Sequence, residues 1–168
     1  MIRATLAVLL ALLLLTSAGT VIGEDLAKEG SGEYRSGKAA TFTVIAMGKE
    51  QGQMNWEETG VVVSAPENSP FHNATFRDMG TSHIIKGKWK ATGFVEYTCT
   101  NGDKIYGTME GQGAFGGPSS GTIKLVGGTG ACTGIEGILE LKGIPGIKPA
   151  KEGIYQAISV GKVNWKIP

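Results

Sequence analysis

Beyond residue 23 the apolar positions of this chain alternate with polar ones in short runs, most of them separated by Gly, Pro, Asn or Ser. A two-residue period predicts strands over residues 40–47, 54–63, 71–79, 82–90, 92–100, 104–111, 121–126, 135–141 and 154–165. No stretch after residue 23 holds apolar residues at a 3.6-residue period for three turns, which excludes crossover helices and a parallel α/β sheet. Eight or nine short antiparallel strands in one domain make a closed barrel or, as the second choice, a sandwich. The Pro-containing stretch 144–151 reads as a loop before the last strand. Turn signals are densest in residues 125–141, where Gly127, Gly128, Gly130, Gly134 and Gly137 punctuate two short apolar runs, as a tight reversal between strands requires.

Residues 1–23 stand apart from this pattern. One cation, Arg3, precedes an apolar run over residues 4–15 that is followed by small residues, the layout of a secretory signal peptide, with cleavage expected after Gly23. The run is shorter than the ~20 apolar residues a membrane span needs, and no later segment approaches that length. Residues 24–168 are therefore read as a single β domain, secreted or periplasmic.

That domain carries 15 Lys and Arg (16 in the whole chain, less Arg3) against 15 Asp and Glu. Zero net charge removes the electrostatic reason to seek nucleic acid or an anionic membrane. The one basic cluster, Lys86, Lys88 and Lys90, has the alternate spacing that puts three side chains on one strand face, read as a solvated outer face or a guarded edge. Two cysteines, Cys99 and Cys132, in an exported chain predict a disulfide. It would close a 34-residue loop worth ~3–4 kcal/mol in the chain-entropy model; two buried thiols or one reactive thiol are the alternatives.

Two apparent motifs dissolve on inspection. The glycines of residues 129–134 mimic a dinucleotide-binding turn, but that site needs a helix next, and Ile135, Gly137 and Ile138 follow instead. Gly87-Lys88-Trp89 matches the G-x-W of lipocalins but lies mid-chain rather than near the N-terminus. His72 and His83, eleven residues apart with no third clear ligand, do not match a zinc pattern, so no metal and no cofactor is expected. With Asp78 and one of Glu57 or Glu58 they form an acid–base set that lacks a nucleophile, and a hydrogen-bonded structural role is the better reading of the histidines. Asn73-Ala74-Thr75 is a glycosylation sequon, relevant only in a eukaryote.

The run Gly121-Thr122-Ile123-Lys124-Leu125-Val126-Gly127-Gly128-Thr129-Gly130, followed by Gly134-Ile135-Glu136-Gly137, resembles a hairpin of the allene oxide cyclase barrel-like proteins. These include plant allene oxide cyclases, dirigent proteins and secreted bacterial members. Asn101-Gly102-Asp103-Lys104-Ile105 and Phe71-His72-Asn73-Ala74-Thr75 are similar to segments of the bacterial group, and the likeness extends loosely from about residue 41 to the end. The resemblance implies an eight-stranded antiparallel barrel. It transfers no active residue, because fold is not function.

Within such a barrel, alternation assigns the inner face. With Lys86, Lys88 and Lys90 outside, His83, Ile85, Gly87 and Trp89 point inward. Val95, Tyr97 and Cys99 follow on the next strand, then Ile105, Gly107 and Met109. Arg77 outside sends His72, Ala74, Phe76 and Asp78 inward, although the opposite register would turn Phe71 and Met79 in. His72, Phe76, His83, Ile85, Trp89, Tyr97 and Met109 are thus the expected lining of a site for a small, largely apolar molecule in the barrel or at its mouth. A cofactor-independent cyclase or isomerase and a side-chain-filled structural barrel are the competing readings, and homo-oligomerisation is open.

Overall fold

The computed structural model describes residues 26–168, so the leader expected at residues 1–23 lies outside the described residues. Eight strands, β1 (Glu29–Ala46), β2 (Gln51–Ser64), β3 (Thr75–Ile85), β4 (Lys88–Thr98), β5 (Lys104–Ala114), β6 (Ser119–Gly128), β7 (Glu136–Gly143) and β8 (Tyr155–Lys166), follow one another round a closed barrel. Every neighbouring pair is antiparallel, β8 returning to β1. One 3₁₀ turn, Gly130–Cys132, interrupts the β6–β7 connection. The barrel expected from the alternation and the family resemblance is the one observed, and the sandwich is excluded.

Closure requires stagger. Followed from pair to pair, Phe42 leads through Trp56, Gly80, Gly93, Met109, Ile123, Leu139 and Val163 to Gly32, ten residues back along β1 (42 − 32). The long β1 absorbs this offset by pairing with β8 through residues 29–40 and with β2 through residues 35–46. The first half of β1 escapes the two-residue apolar period because its inner positions are Tyr34, Ser36 and Lys38, and only the tail after Ala40 reads as a strand.

Two of the expected strand boundaries are corrected. Residues 82–90 are not one strand: Lys86 (φ 50°) and Gly87 (φ 73°) form the β3–β4 hairpin turn. Conversely Gly80, expected to separate two strands, lies mid-strand opposite Gly93, where each would crowd its neighbour if it carried a Cβ.

The end of the barrel where β1 starts is sealed by packing. The β2–β3 loop makes three successive turns, Pro66 O to Ser69 N, Ser69 O to His72 N and Phe71 O to Ala74 N, and these drive the fully buried Phe71 in as a plug. Its ring meets Tyr97 at 5.2 Å, Trp165 at 6.4 Å and Tyr34 at 6.5 Å, all edge-on. Ile105, Leu125, Ile135, Leu139 and Val163 complete this core.

Candidate functional site

Above the apolar plug the interior changes character. Strand alternation brings Lys38 of β1, Glu58 of β2 and Asp78 of β3 to the inner wall, with Glu58 directly opposite Asp78 in the β2–β3 ladder. The Lys38 ammonium donates to the Glu58 carboxylate, an ion pair whose side chains are only 19% and 12% exposed. Asp78 is 3% exposed, and its Oδ1 has no hydrogen-bond partner among the described residues. A carboxylate left so would be a large desolvation loss, so the carboxyl holds its proton: burial, then the Glu58 charge, push it up to about 8, against the opposing pull of Lys38. Burial pulls Lys38 down, but Glu58 and Asp78 outweigh it and the net direction is upward.

The phenols of Tyr34 and Tyr97 lie within 3.4 Å of each other in the wall below. Burial raises both, Tyr97 well above the usual phenol range, so both are proton-bearing donors.

The remaining upper wall is built from small residues and two indoles. Ala40, Gly80, Ser82, Ala91, Gly93 and Gly111 are small, and the two indole rings pack over the glycines among them. Trp56 lies against Gly80 and Gly93, where an added Cβ would come within 2.6 and 2.9 Å of its ring, and its Nε1 donates to Ser82 Oγ at 2.9 Å. Trp89 lies in the same way over Gly113. An ion pair, a neutral carboxyl and two aromatic faces therefore share one end of the interior.

The residues singled out from sequence divide between two walls. Phe76 and Tyr97 are buried in the plug end, Met109 is half-buried on the inner face, and Trp89 is half-buried in the upper wall. His83 and Ile85 point outward and are exposed, Ile85 at 45%. The reason is the Lys86–Gly87 turn: lysine parity carried through a supposed continuous strand gives the wrong face before the turn and the right one after it. His72 sits in the β2–β3 loop, half-buried, its Nδ1 without a partner among the described residues. Of the carboxylates weighed, Glu58 and Asp78 face inward, while Glu57 faces out and accepts from Arg77 at 2.7 Å. Lys38, Trp56 and Tyr34 were not anticipated as site residues; the signal for Lys38 was a lysine at an even position of a chain stretch whose neighbours Tyr34, Ser36 and Ala40 share its parity.

Cys99 and Cys132 are neighbours, yet the expected disulfide is not formed. Their sulfurs are 3.8 Å apart in a thiol–thiol contact, well beyond the ~2.05 Å of a bond. That contact raises the Cys99 thiol and lowers Cys132. Both lie in the sealed end, where Asp103 Oδ2 accepts from the backbone N–H of Ala131 at 2.8 Å and docks the 3₁₀ turn on the β4–β5 connection.

A groove of about 940 Å³ runs along the outer wall across β4 to β8, between exposed charges such as Lys90, Glu110, Glu140, Lys142 and Lys162. These alternate with the inner face and belong to ordinary solvated sheet, so the buried upper interior, and not this groove, is the candidate site.

No protein-family model matches the chain, and no curated protein does. Among solved structures, the chain is similar to one described as a pterocarpan synthase dirigent protein, at 11% identity and a TM-score of 0.46 over 85% of this chain and 88% of that one. A likeness of this size assigns neither a residue role nor a reaction. The architecture rests on the eight paired strands themselves, a closed antiparallel barrel of the kind that the resemblance to allene oxide cyclase-like and dirigent proteins implied.

Proposed function

We propose that the protein, exported as its leader predicts, binds a small, largely apolar molecule in the upper half of the barrel and holds one polar group of that molecule against Asp78. The supporting observation is the buried Asp78 carboxyl with its unpartnered Oδ1, set beside the Lys38–Glu58 pair and under walls of Trp56, Trp89 and small residues. A polar atom left unsatisfied in a folded interior calls for a partner, and a ligand hydroxyl or carbonyl is one. Apolar walls supply affinity at ~25 cal/mol per Å² of buried ligand surface, while one carboxyl fixes orientation.

Tryptophan fluorescence titrated with long-chain alcohols, fatty acids and terpenoid alcohols tests this reading. Trp56 and Trp89 line the site, whereas Trp165 packs in the sealed end and serves as the internal constant. A saturable change that weakens in Asp78→Asn and shrinks in Trp89→Phe supports it. No titratable change with any of these ligands moves the reading to a side-chain-filled structural barrel.

One observation favours a catalytic variant of the same site. A carboxyl that bears its proton up to about pH 8 is a general acid at neutral pH, and here it stands beside the Lys38–Glu58 ion pair. This is the requirement of a cofactor-independent isomerase or cyclase acting on an apolar chain. Product formation from a ligand that binds, abolished in Asp78→Asn even at ligand concentrations that saturate the variant, would separate catalysis from simple retention.

A further inference from the structure

The stagger of the barrel leaves β1 with two stretches paired on one side only, and they are treated differently. At the sealed end, residues 29–34 extend past the last β2 partner, Ser64, and are covered: Pro66 lies on Gly32 with no room for a Cβ, and Asn68 O accepts from Ala27 N. At the upper end, β1 parts from β8 at the Ala40–Tyr155 pair, while its pairing with β2 continues to Ala46. Residues 41–47 therefore carry one free edge of backbone N–H and C=O groups, and each of them is exposed.

The side chains there do not guard it. Thr41-Phe42-Thr43-Val44-Ile45-Ala46-Met47 contains no charge and no proline, the two usual means of blunting an edge, and is rich in β-branched residues. Phe42, Val44, Ile45 and Met47 are 49, 49, 61 and 48% exposed. The nearest charges in sequence, Lys38 and Lys49, lie outside the segment.

We propose that residues 41–47 of β1 pair antiparallel with the same residues of a second copy of this chain. A second copy fits because an antiparallel strand is its own complement about a two-fold axis normal to the sheet, which also keeps the inner faces of both copies on one side. Only registers that pair even with even and odd with odd satisfy this, and centring on Val44 uses the free edge and nothing else. Val44 then faces Val44 of the other copy, Phe42 faces Ala46, Thr43 faces Ile45, and Thr41 faces Met47. Large meets small on the inner face, and no like charges oppose. Seven residues are short against the ~1,200–2,000 Å² of a standard stable interface, so the dimer is concentration-dependent.

Sedimentation equilibrium of the purified protein across a concentration series is the test, with Val44→Lys and Val44→Asp as variants. The parent should show a monomer–dimer equilibrium. Each variant alone should be monomeric with an unchanged far-UV spectrum, since like charges would meet at the axis. An equimolar mixture of the two should dimerise again. A parent that stays monomeric to its solubility limit overturns the proposal, as do variants that dimerise like the parent or a mixture that stays monomeric. Loss of the folded spectrum in one variant leaves the parent series and the opposite-charge variant, each of which decides the question.

Discussion

The two ends of the barrel interior are built from one alternation rule and arrive at opposite chemistry. At the sealed end the inner positions are Phe76, Tyr97, Ile105, Leu125 and Val163, closed by Phe71, and each buried ring finds an aromatic or aliphatic neighbour. At the upper end the same positions hold Lys38, Glu58, Asp78, glycines, alanines and two tryptophans. The first arrangement buries apolar area and asks for nothing further. The second leaves a carboxyl oxygen without a partner among the described residues. Stability resides in one end and the candidate chemistry in the other.

Removing the plug should break that comparison most severely. Phe71→Ala should lose ~3–5 kcal/mol in denaturant unfolding, the range for a buried aromatic cut to Ala, because Phe71 is fully buried against three rings. If the variant still folds, ligands that change Trp56 and Trp89 fluorescence should bind it almost as well as the parent. A small stability loss would mean that the sealed end is not what holds the barrel.

Asp78→Asn should act in the opposite sense and with a pH dependence. The folded carboxyl titrates near 8 and the unfolded one near 3.8, so its contribution is fully present below about pH 4 and is lost as pH rises through about 8. Chemical denaturation of the parent should therefore show stability falling across this window. In Asp78→Asn that fall should be reduced, leaving the variant the more stable protein at pH 9 by a few kcal/mol, since a tenfold difference in proton affinity between the folded and unfolded chains is worth ~1.4 kcal/mol. Parallel pH profiles for the two proteins would contradict a buried neutral Asp78.

The β6–β7 connection sharpens the comparison at smaller amplitude. Gly130 has φ 51° and faces the Asp103 carboxylate, and Gly128 would place a Cβ 2.6 Å from the carbonyl oxygens of Cys132 and Lys104. Gly130→Val or Gly128→Val should lower stability by more than ~1 kcal/mol. Variants that melt like the parent would refute the hairpin's role. Smaller still is the contribution of the cysteines: with their sulfurs 3.8 Å apart as a thiol–thiol contact, titration of denatured, unreduced protein should find two free thiols per chain. Finding none would mean that the pair is bridged in the purified protein.

Most of the barrel was legible because strand alternation and turn residues are local. β2 and β4 to β8 lie close to the runs read from the sequence, and Phe76, Trp89, Tyr97 and Met109 were placed on the inner face by counting in twos. The failures are equally local in origin. Lys86 takes a left-handed conformation that glycine favours, so nothing in its side chain announced the turn that puts His83 and Ile85 outside. The site was legible only in part, because it comes from three strands far apart in sequence. Asp78 and Glu58 were within reach as candidate acids, but Lys38 lies in a stretch of β1 whose inner positions are polar, and a rule that sends lysines outward hides a lysine paired with an inward glutamate. Ring placement over glycines, as with Trp56 on Gly80 and Gly93, is invisible to any period.

The protonation of Asp78 is the point on which the account turns, and infrared difference spectroscopy reads it directly. A protonated carboxyl stretch present in the parent and absent in Asp78→Asn should persist through neutral pH and disappear with a midpoint near 8. Addition of a bound alcohol or fatty acid should shift that band by giving the carboxyl its missing partner. A band that disappears near pH 4, with no change on ligand addition, would show an ordinary solvated carboxylate and remove the basis for a site in the upper barrel.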